Sequence, residues 1–254
     1  MAHTDRHESK LLVDSVTKSY PGLPVLDDVT LDVAPGEFVS VIGPSGCGKS
    51  TLFNVVAGLE RPDSGRVVVD GRDATGRTDA FAYMPQQDLL FPWRTVLDNT
   101  ALGLEVAGVR RREARQRARE LFGPFGLDGF EHAAPAELSG GMRQRAALLR
   151  TVVQDRAVLL LDEPFGALDS LTRSDMQTWL DDVRARFDWT VLLITHDIRE
   201  AVRLSDRVVV LGPRPAQVRR EVVVNLPRPR VPEMVTTPAF AALEAELLTI
   251  LRDR

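Results

Sequence analysis

Apolar and polar positions along this chain fall into three successive regimes. Residues 11–20 and 25–33 mix β-branched and polar positions around the turn-like Pro21-Gly22-Leu23-Pro24, which predicts two strands. After Pro35-Gly36, the run Phe38-Val39-Ser40-Val41-Ile42 predicts a buried strand. It feeds a glycine-rich loop, and 49–58 carries a helical pattern that Gly58 ends. A further strand is expected over 64–70, turning at Gly71. From about Thr95 to Val153 strand signal is scarce and helical periodicity prevails. One charged helix is expected over 110–121, with Glu113 one helical turn before Arg117 as a surface pair. Alternation of strand and helix then resumes. The short continuous apolar runs 158–161 and 191–194 read as parallel strands covered on both faces, with a helix over 170–187 between them. Late strands are expected at 208–211 and 218–224. Pro227, Pro229 and Pro232 mark an extended linker before an amphipathic helix over 238–251.

Composition narrows the class. With 254 residues, 44% hydrophobic and 27% charged, the chain is neither disordered nor collagen-like, and its length suffices for a sizeable core. A single cysteine, Cys47, forbids an internal disulfide and suits a reducing compartment. A formal net charge of −4 offers no basic field for nucleic acid, so no nucleic-acid partner is expected. The polar start MAHTDRHESK lacks the apolar core of a secretory signal. No apolar run nears the roughly 18–20 residues of a membrane span.

Candidate chemistry begins at Gly43-Pro44-Ser45-Gly46-Cys47-Gly48-Lys49-Ser50-Thr51, a G-x-x-x-x-G-K-[ST] loop between a predicted strand and a predicted helix. Its glycines let the backbone curl so that N–H groups converge on phosphate oxygens, and the helix N-terminus adds positive potential. Lys49 suits the β- and γ-phosphates of ATP, and the Ser50 hydroxyl suits Mg²⁺. Of 32 basic residues only Lys10, Lys18 and Lys49 are lysine, so a chance match is rare. Cys47 reads either as a small neutral filler or as a thiol that the converging N–H groups activate, so that its alkylation blocks ATP and bound MgATP protects it.

An apolar strand then ends in two acids, Asp162 and Glu163. Neighbours on a strand point to opposite sides, which assigns them different roles: Asp162 toward Mg²⁺, Glu163 toward the water that attacks the γ-phosphate. The segment Leu138-Ser139-Gly140-Gly141-Met142-Arg143-Gln144-Arg145 is a second anion site, with Ser139 and two glycines capping a helix that starts near Met142.

With the loop and the acidic pair, this segment resembles the signature of the ATP-binding cassette (ABC) family, over roughly residues 11–230. The resemblance implies an α/β fold: a P-loop NTPase core of mostly parallel sheet with an N-terminal antiparallel β subdomain, and an inserted α-helical lobe. The implied boundaries are a disordered N-terminus at 1–10, the core at 11–88 and 156–225, the helical lobe at 89–155, and a C-terminal linker and helix at 226–254. Gln86 resembles the family's glutamine that touches Mg²⁺ or the attacking water. Asp169, in Ala167-Leu168-Asp169, resembles a loop that communicates across a dimer, and His196 the histidine at the γ-phosphate. Tyr20 lies where the family stacks an aromatic ring on adenine. Ser139, Gly140 and Gly141 would cap the nucleotide held by a second, head-to-tail copy.

Two departures stand out: Pro85 precedes Gln86 where an aromatic is usual, and Leu149-Arg150-Thr151 replaces an alanine-rich stretch, read as a packing change. Segments 89–96, 164–169, 211–215 and 226–230 resemble nitrate/sulfonate/taurine-type importers. The expectation is the ATP-hydrolysing subunit of a bacterial importer, peripheral on the cytoplasmic face of the plasma membrane. Two transmembrane permease subunits would meet an exposed apolar patch at 89–93, and an extracytoplasmic solute-binding protein would deliver cargo. The rival readings are an exporter subunit, a soluble cassette ATPase of DNA repair or translation, and a nucleotide-binding module without turnover. The soluble ATPase is disfavoured by the absence of a coiled-coil insertion, second cassette or basic face, and the last rival by intact Glu163 and His196.

Overall fold

The computed structural model describes residues 9–184 and 186–252. Most of the segment expected to be a disordered N-terminus, 1–8, lies outside the described residues. Up to Met84 the chain forms β1 (Leu11–Tyr20), β2 (Leu23–Val33), β3 (Phe38–Ile42), α1 (Lys49–Val56), β4 (Ser64–Val69), β5 (Arg72–Asp73) and β6 (Phe81–Met84). Three helices follow: α2 (Val96–Val106), α3 (Arg111–Glu120) and α4 (Gly140–Val152). The remainder alternates: β7 (Val158–Asp162), α5 (Ser170–Arg184), β8 (Val191–Ile194), α6 (Ile198–Leu204), β9 (Arg207–Leu211), β10 (Val218–Val223) and α7 (Pro238–Arg252).

Two sheets result. The smaller, ordered β2–β1–β4–β5, is antiparallel, with Leu11 opposite both Val33 and Val69. The larger, ordered β10–β9–β3–β8–β7–β6, is parallel except for its edge strand β10. This is the expected α/β class, with the strand alternation explaining why the central runs look uniformly apolar. Along β7, Val158 and Leu160 enter the core beneath the antiparallel sheet and α1, whereas Leu159 and Leu161 enter the core beneath the helices on the other face. On β8, Leu192 and Ile194 face the first core, Val191 and Leu193 the second. The strand β6, missed in the sequence, is only four residues beside Pro85; pairing with β7 (Phe81 opposite Val158) makes it a strand.

Local signals end α1. Gly58 (φ +73°) follows it, and a β-carbon there would lie 2.5 Å from the Arg77 backbone, so the chain can turn only with glycine. On α3 the expected Glu113–Arg117 pair forms at 2.5 Å, and Ala114 and Ala118 alone are buried; Arg112, Arg117 and Arg119 are exposed, while Arg111 and Arg115 pair with Asp98. A third core joins α7 (Phe240, Leu247) to α6 and to β9–β10. The proline-rich linker ahead of α7 is anchored by arginine. Buried Arg230 donates to the carbonyls of Val202 (2.9 Å) and Ser205 (2.5 Å) at the end of α6, and Arg228 pairs with Asp181 and Asp206. Among the described residues no helix is long and apolar enough to cross a membrane.

Candidate nucleotide site

Every candidate group except the antiparallel-sheet residue Tyr20 and the cap at Ser139 leaves the carboxyl end of a parallel strand, where ligands of open α/β sheets bind. β3 delivers the loop 43–48, after which α1 starts at Lys49 with Gly48 as its cap residue. Gly48 sits at φ +124°, and a β-carbon would come within 2.8 Å of Val25, so backbone alone fits between the loop and β2. Lys49 is 9% exposed; its Nζ donates to the carbonyls of Gly43 (2.8 Å) and Pro44 (3.0 Å), which fixes the ammonium at the mouth of the loop. The loop opens on a cavity of about 570 Å³ that Tyr20, Lys49, Ser50, Thr51, Glu163 and His196 help to line. That size falls within the usual range for small-molecule sites. The Tyr20 ring lies at its rim, steered by a hydrogen bond from its hydroxyl to Glu60 (2.6 Å).

The two acids diverge for a reason the strand period did not supply. Asp162 closes β7, but Glu163 turns into the left-handed region (φ +44°), held by its N–H to Ile194 O (2.9 Å) and by Gly166 N–H to its own carbonyl (3.0 Å). A non-glycine residue there costs of order 1–3 kcal/mol, and such strain concentrates at functional sites. Its Oε2 accepts from Gln86 Nε2 (3.1 Å) and lies 3.1 Å from His196 Nδ1. The three sequence candidates thus meet on one carboxylate oxygen, an arrangement suited to aiming a water. Asp197 steadies the His196 turn by accepting from Arg199 N (2.9 Å) and Glu200 N (3.3 Å) as the cap of α6.

Asp162 accepts from Tyr83 Oη (3.3 Å). Burial pushes the Asp162 carboxyl above the usual range and the Glu163 charge adds to this, against Tyr83 and Lys49. Burial and the Asp162 charge push Tyr83 up to about 12, keeping it a donor. Among the described residues no cluster of three or more His, Cys, Asp or Glu could hold a metal by itself. Asp162 does not line the loop's cavity but feels the Lys49 charge, and a single carboxylate near a phosphate loop suits Mg²⁺, which is bound by one or two carboxylates together with substrate phosphates.

Other candidates lie elsewhere. Ser139 does cap α4, accepting from Met142 N (3.2 Å), although the helix begins at Gly140 rather than near Met142. Ser139, Gly140 and Gly141 do not line the cavity of the same chain's loop; Gly140 borders a separate cavity with Gln86, Leu89 and Leu168. Asp169 is also outside the loop's cavity. Its carboxylate caps α5 through Leu171 N, Thr172 N (both 3.1 Å) and Thr172 Oγ1 (2.6 Å), bonds that hold it below the usual range. Arg150, read as a packing change, instead clamps the segment after Gln86 by donating to the carbonyls of Asp88 (2.5 Å) and Leu89 (2.8 Å). Gln144 on the same helix donates to the carbonyl of Pro164, so α4 touches the chain just after both Gln86 and Glu163.

The apolar patch is present: Leu89, Phe91 and Trp93 are exposed, Trp93 by 77%, and the last two rings stack at 5.0 Å. Buried Asn99 holds the turn beneath them through Phe91 N (2.7 Å) and O (3.1 Å). The contacts of Asn99, Tyr83 and the cavity-lining Arg214 had no sequence signal, since each reaches a residue distant in sequence or bonds backbone atoms.

For Cys47 the structure selects the filler. The side chain is 2% exposed within the core beneath the antiparallel sheet, and its N–H bonds Pro44 O (3.2 Å), so the thiol points away from the cavity. A thiol-disulfide reagent is expected to leave Cys47 unmodified in native buffer and to label it fully in guanidinium chloride. Rapid native labelling blocked by MgATP would reinstate the reactive reading.

Comparison with known proteins bears on the chain as a whole. A family profile described as "ABC transporter" matches residues 26–166. The chain is 42% identical over 253 residues to an uncharacterized ABC transporter ATP-binding protein of Methanocaldococcus jannaschii, covering 98% of this chain and 94% of that one. It is 45% identical to an aliphatic sulfonates import ATP-binding protein of Cupriavidus necator, covering 94% and 76%, respectively. It is also 44% identical to a taurine import ATP-binding protein of Pseudomonas fluorescens, covering 82% and 80%. A bacterial ABC transporter cassette solved as a dimer superimposes with a TM-score of 0.73 at 32% identity, covering 85% of this chain and 99% of that one. A post-hydrolysis state bound to ADP and phosphate gives a TM-score of 0.72 at 31% identity.

Proposed function

Since this chain belongs to the ABC transporter family as one of its ATP-hydrolysing cassettes, we propose that it energises the uptake of a small sulfonate such as taurine or an alkanesulfonate through a membrane permease. The observation that carries the mechanism is the meeting of Gln86 and His196 on Glu163 Oε2, in the wall of the cavity that Lys49 enters.

In this reading the adenine stacks on Tyr20, and the triphosphate follows the backbone of Gly43 to Gly48 to the start of α1. Lys49 neutralises charge on the β- and γ-phosphates, with Ser50 and Thr51 donating beside it. Ser50 and Asp162, with Gln86 alongside, would hold Mg²⁺, and the ion would supply positive charge to offset that developing on the phosphates. Glu163 accepts the proton of the attacking water while His196 and Gln86 fix its carboxylate, so catalysis is positioning plus charge stabilisation.

The cap formed by Ser139, Gly140 and Gly141 stands apart from its own chain's loop, so it serves the nucleotide of a second copy arranged head to tail. Asp169 rigidifies the start of α5 next to that junction. The Phe91–Trp93 stack is the face for the permease subunits, at the cytoplasmic side of the membrane. Arg150 and Gln144 link that face, through α4, to the cap.

Co-purification with its permease subunits and binding protein, followed by ATPase assay in proteoliposomes, tests the reading. Taurine or an alkanesulfonate, loaded on the binding protein outside, is expected to raise turnover several-fold. Stimulation only by solute on the ATP side, without a binding protein, would favour the exporter alternative.

A further inference from the structure

We propose that Arg214 is a further nucleotide-binding residue: a second cation that secures the apex of the phosphate loop and donates to the polyphosphate. Sheet order places it there. β9 lies beside β3, with Val209 opposite Val41 and Val210 opposite Ile42, so the loops that leave their carboxyl ends run side by side. The loop after β9 thereby carries Arg214 over the phosphate loop, where Nε donates to Gly46 O (3.0 Å) and Nη2 donates to the same oxygen.

Three features separate this arginine from an ordinary surface charge. It lines the cavity that Lys49, Ser50 and Glu163 line. Among the described residues it forms no ion pair, unlike Arg207, whose guanidinium pairs with Asp32, Glu37 and Glu221. Finally, a guanidinium has five N–H donors in a planar fork, and the Gly46 carbonyl takes only two. The other three, on a weakly hydrated cation at the edge of a phosphate cradle, match the geometry and charge of phosphate oxygens. Lys49 is held on the inner side by Gly43 and Pro44 carbonyls, so the two cations address the polyphosphate from different sides of the loop.

The inference rests on the nucleotide reading of this cavity, and its test separates the two. MgATP affinity and steady-state kinetics are measured for the full-length chain and for Arg214→Ala, Arg214→Gln, Arg214→Lys and Lys49→Ala, with thermal unfolding without nucleotide as the folding control. Arg214→Ala is expected to raise the Kd and KM for MgATP about tenfold with kcat within about twofold, because the loss is in binding rather than in the water-aiming groups. Arg214→Gln keeps a donor for the Gly46 carbonyl but no charge and is expected to bind as weakly as the alanine variant, whereas Arg214→Lys recovers part of the affinity. Wild-type affinity in Arg214→Ala, or full recovery in Arg214→Gln, overturns the proposal. If Lys49→Ala binds MgATP like wild type, the cavity itself is not the nucleotide site and both readings fall.

Discussion

Replacing Glu163 by glutamine is expected to reduce ATP turnover by about 10²–10⁴-fold, the usual contribution of a positioned general base, while leaving MgATP affinity within about twofold. Glutamine matches glutamate in shape and can occupy the strained turn that Ile194 and Gly166 hold, so the fold has no reason to change. Its amide cannot take a proton, however, and the Gln86 amide and His196 that converge on Oε2 would lose their carboxylate acceptor. Single-turnover assays with radiolabelled ATP separate chemistry from binding. Residual turnover above about a tenth of wild type would assign the base elsewhere.

The next largest effect is expected at Lys49. Removing its ammonium by Lys49→Ala deletes a charge-assisted contact of roughly 3 kcal/mol with the phosphates, and MgATP affinity should fall about 100-fold. The seat is specific as well as charged: the nearly buried Lys49 donates to the Gly43 and Pro44 carbonyls as a compact point charge on a flexible stem, a geometry that the longer, planar guanidinium of arginine does not reproduce. Lys49→Arg should therefore recover little of the lost affinity. Isothermal titration with a non-hydrolysable ATP analogue measures both variants. Near-native binding by Lys49→Arg would mean that charge alone, without the seat, holds the phosphates.

What could be read from the sequence follows how local each signal is. The loop 43–51 carries its whole mechanism in consecutive residues, and the apolar runs of β7 and β8 announce a sheet covered on both faces. Ser139 was legible as a helix cap because capping is decided within three residues. The acidic pair was only half legible. Its spacing suggested two roles, but the left-handed turn at Glu163 depends on bonds to Ile194 and Gly166, one of them across the sheet. Tyr83, Arg150 and Arg214 were opaque for the same reason: each bonds a partner more than sixty residues away, two of them through backbone carbonyls. Cys47 stayed open between two readings because position within a loop says nothing of the side a side chain faces, which packing against the antiparallel sheet and α1 determines.

Enclosure of the nucleotide requires two copies, because the Ser139 cap and the Lys49 loop of one chain do not share a cavity. The most direct measurement is the mass of the Glu163→Gln chain by light scattering, with and without MgATP, alone and combined with Ser139→Arg. A nucleotide-dependent dimer that the second substitution returns to monomer, with ATP affinity of the monomer unchanged, is the predicted result. A Glu163→Gln chain that stays monomeric when saturated with MgATP, or a dimer indifferent to Ser139→Arg, would contradict it.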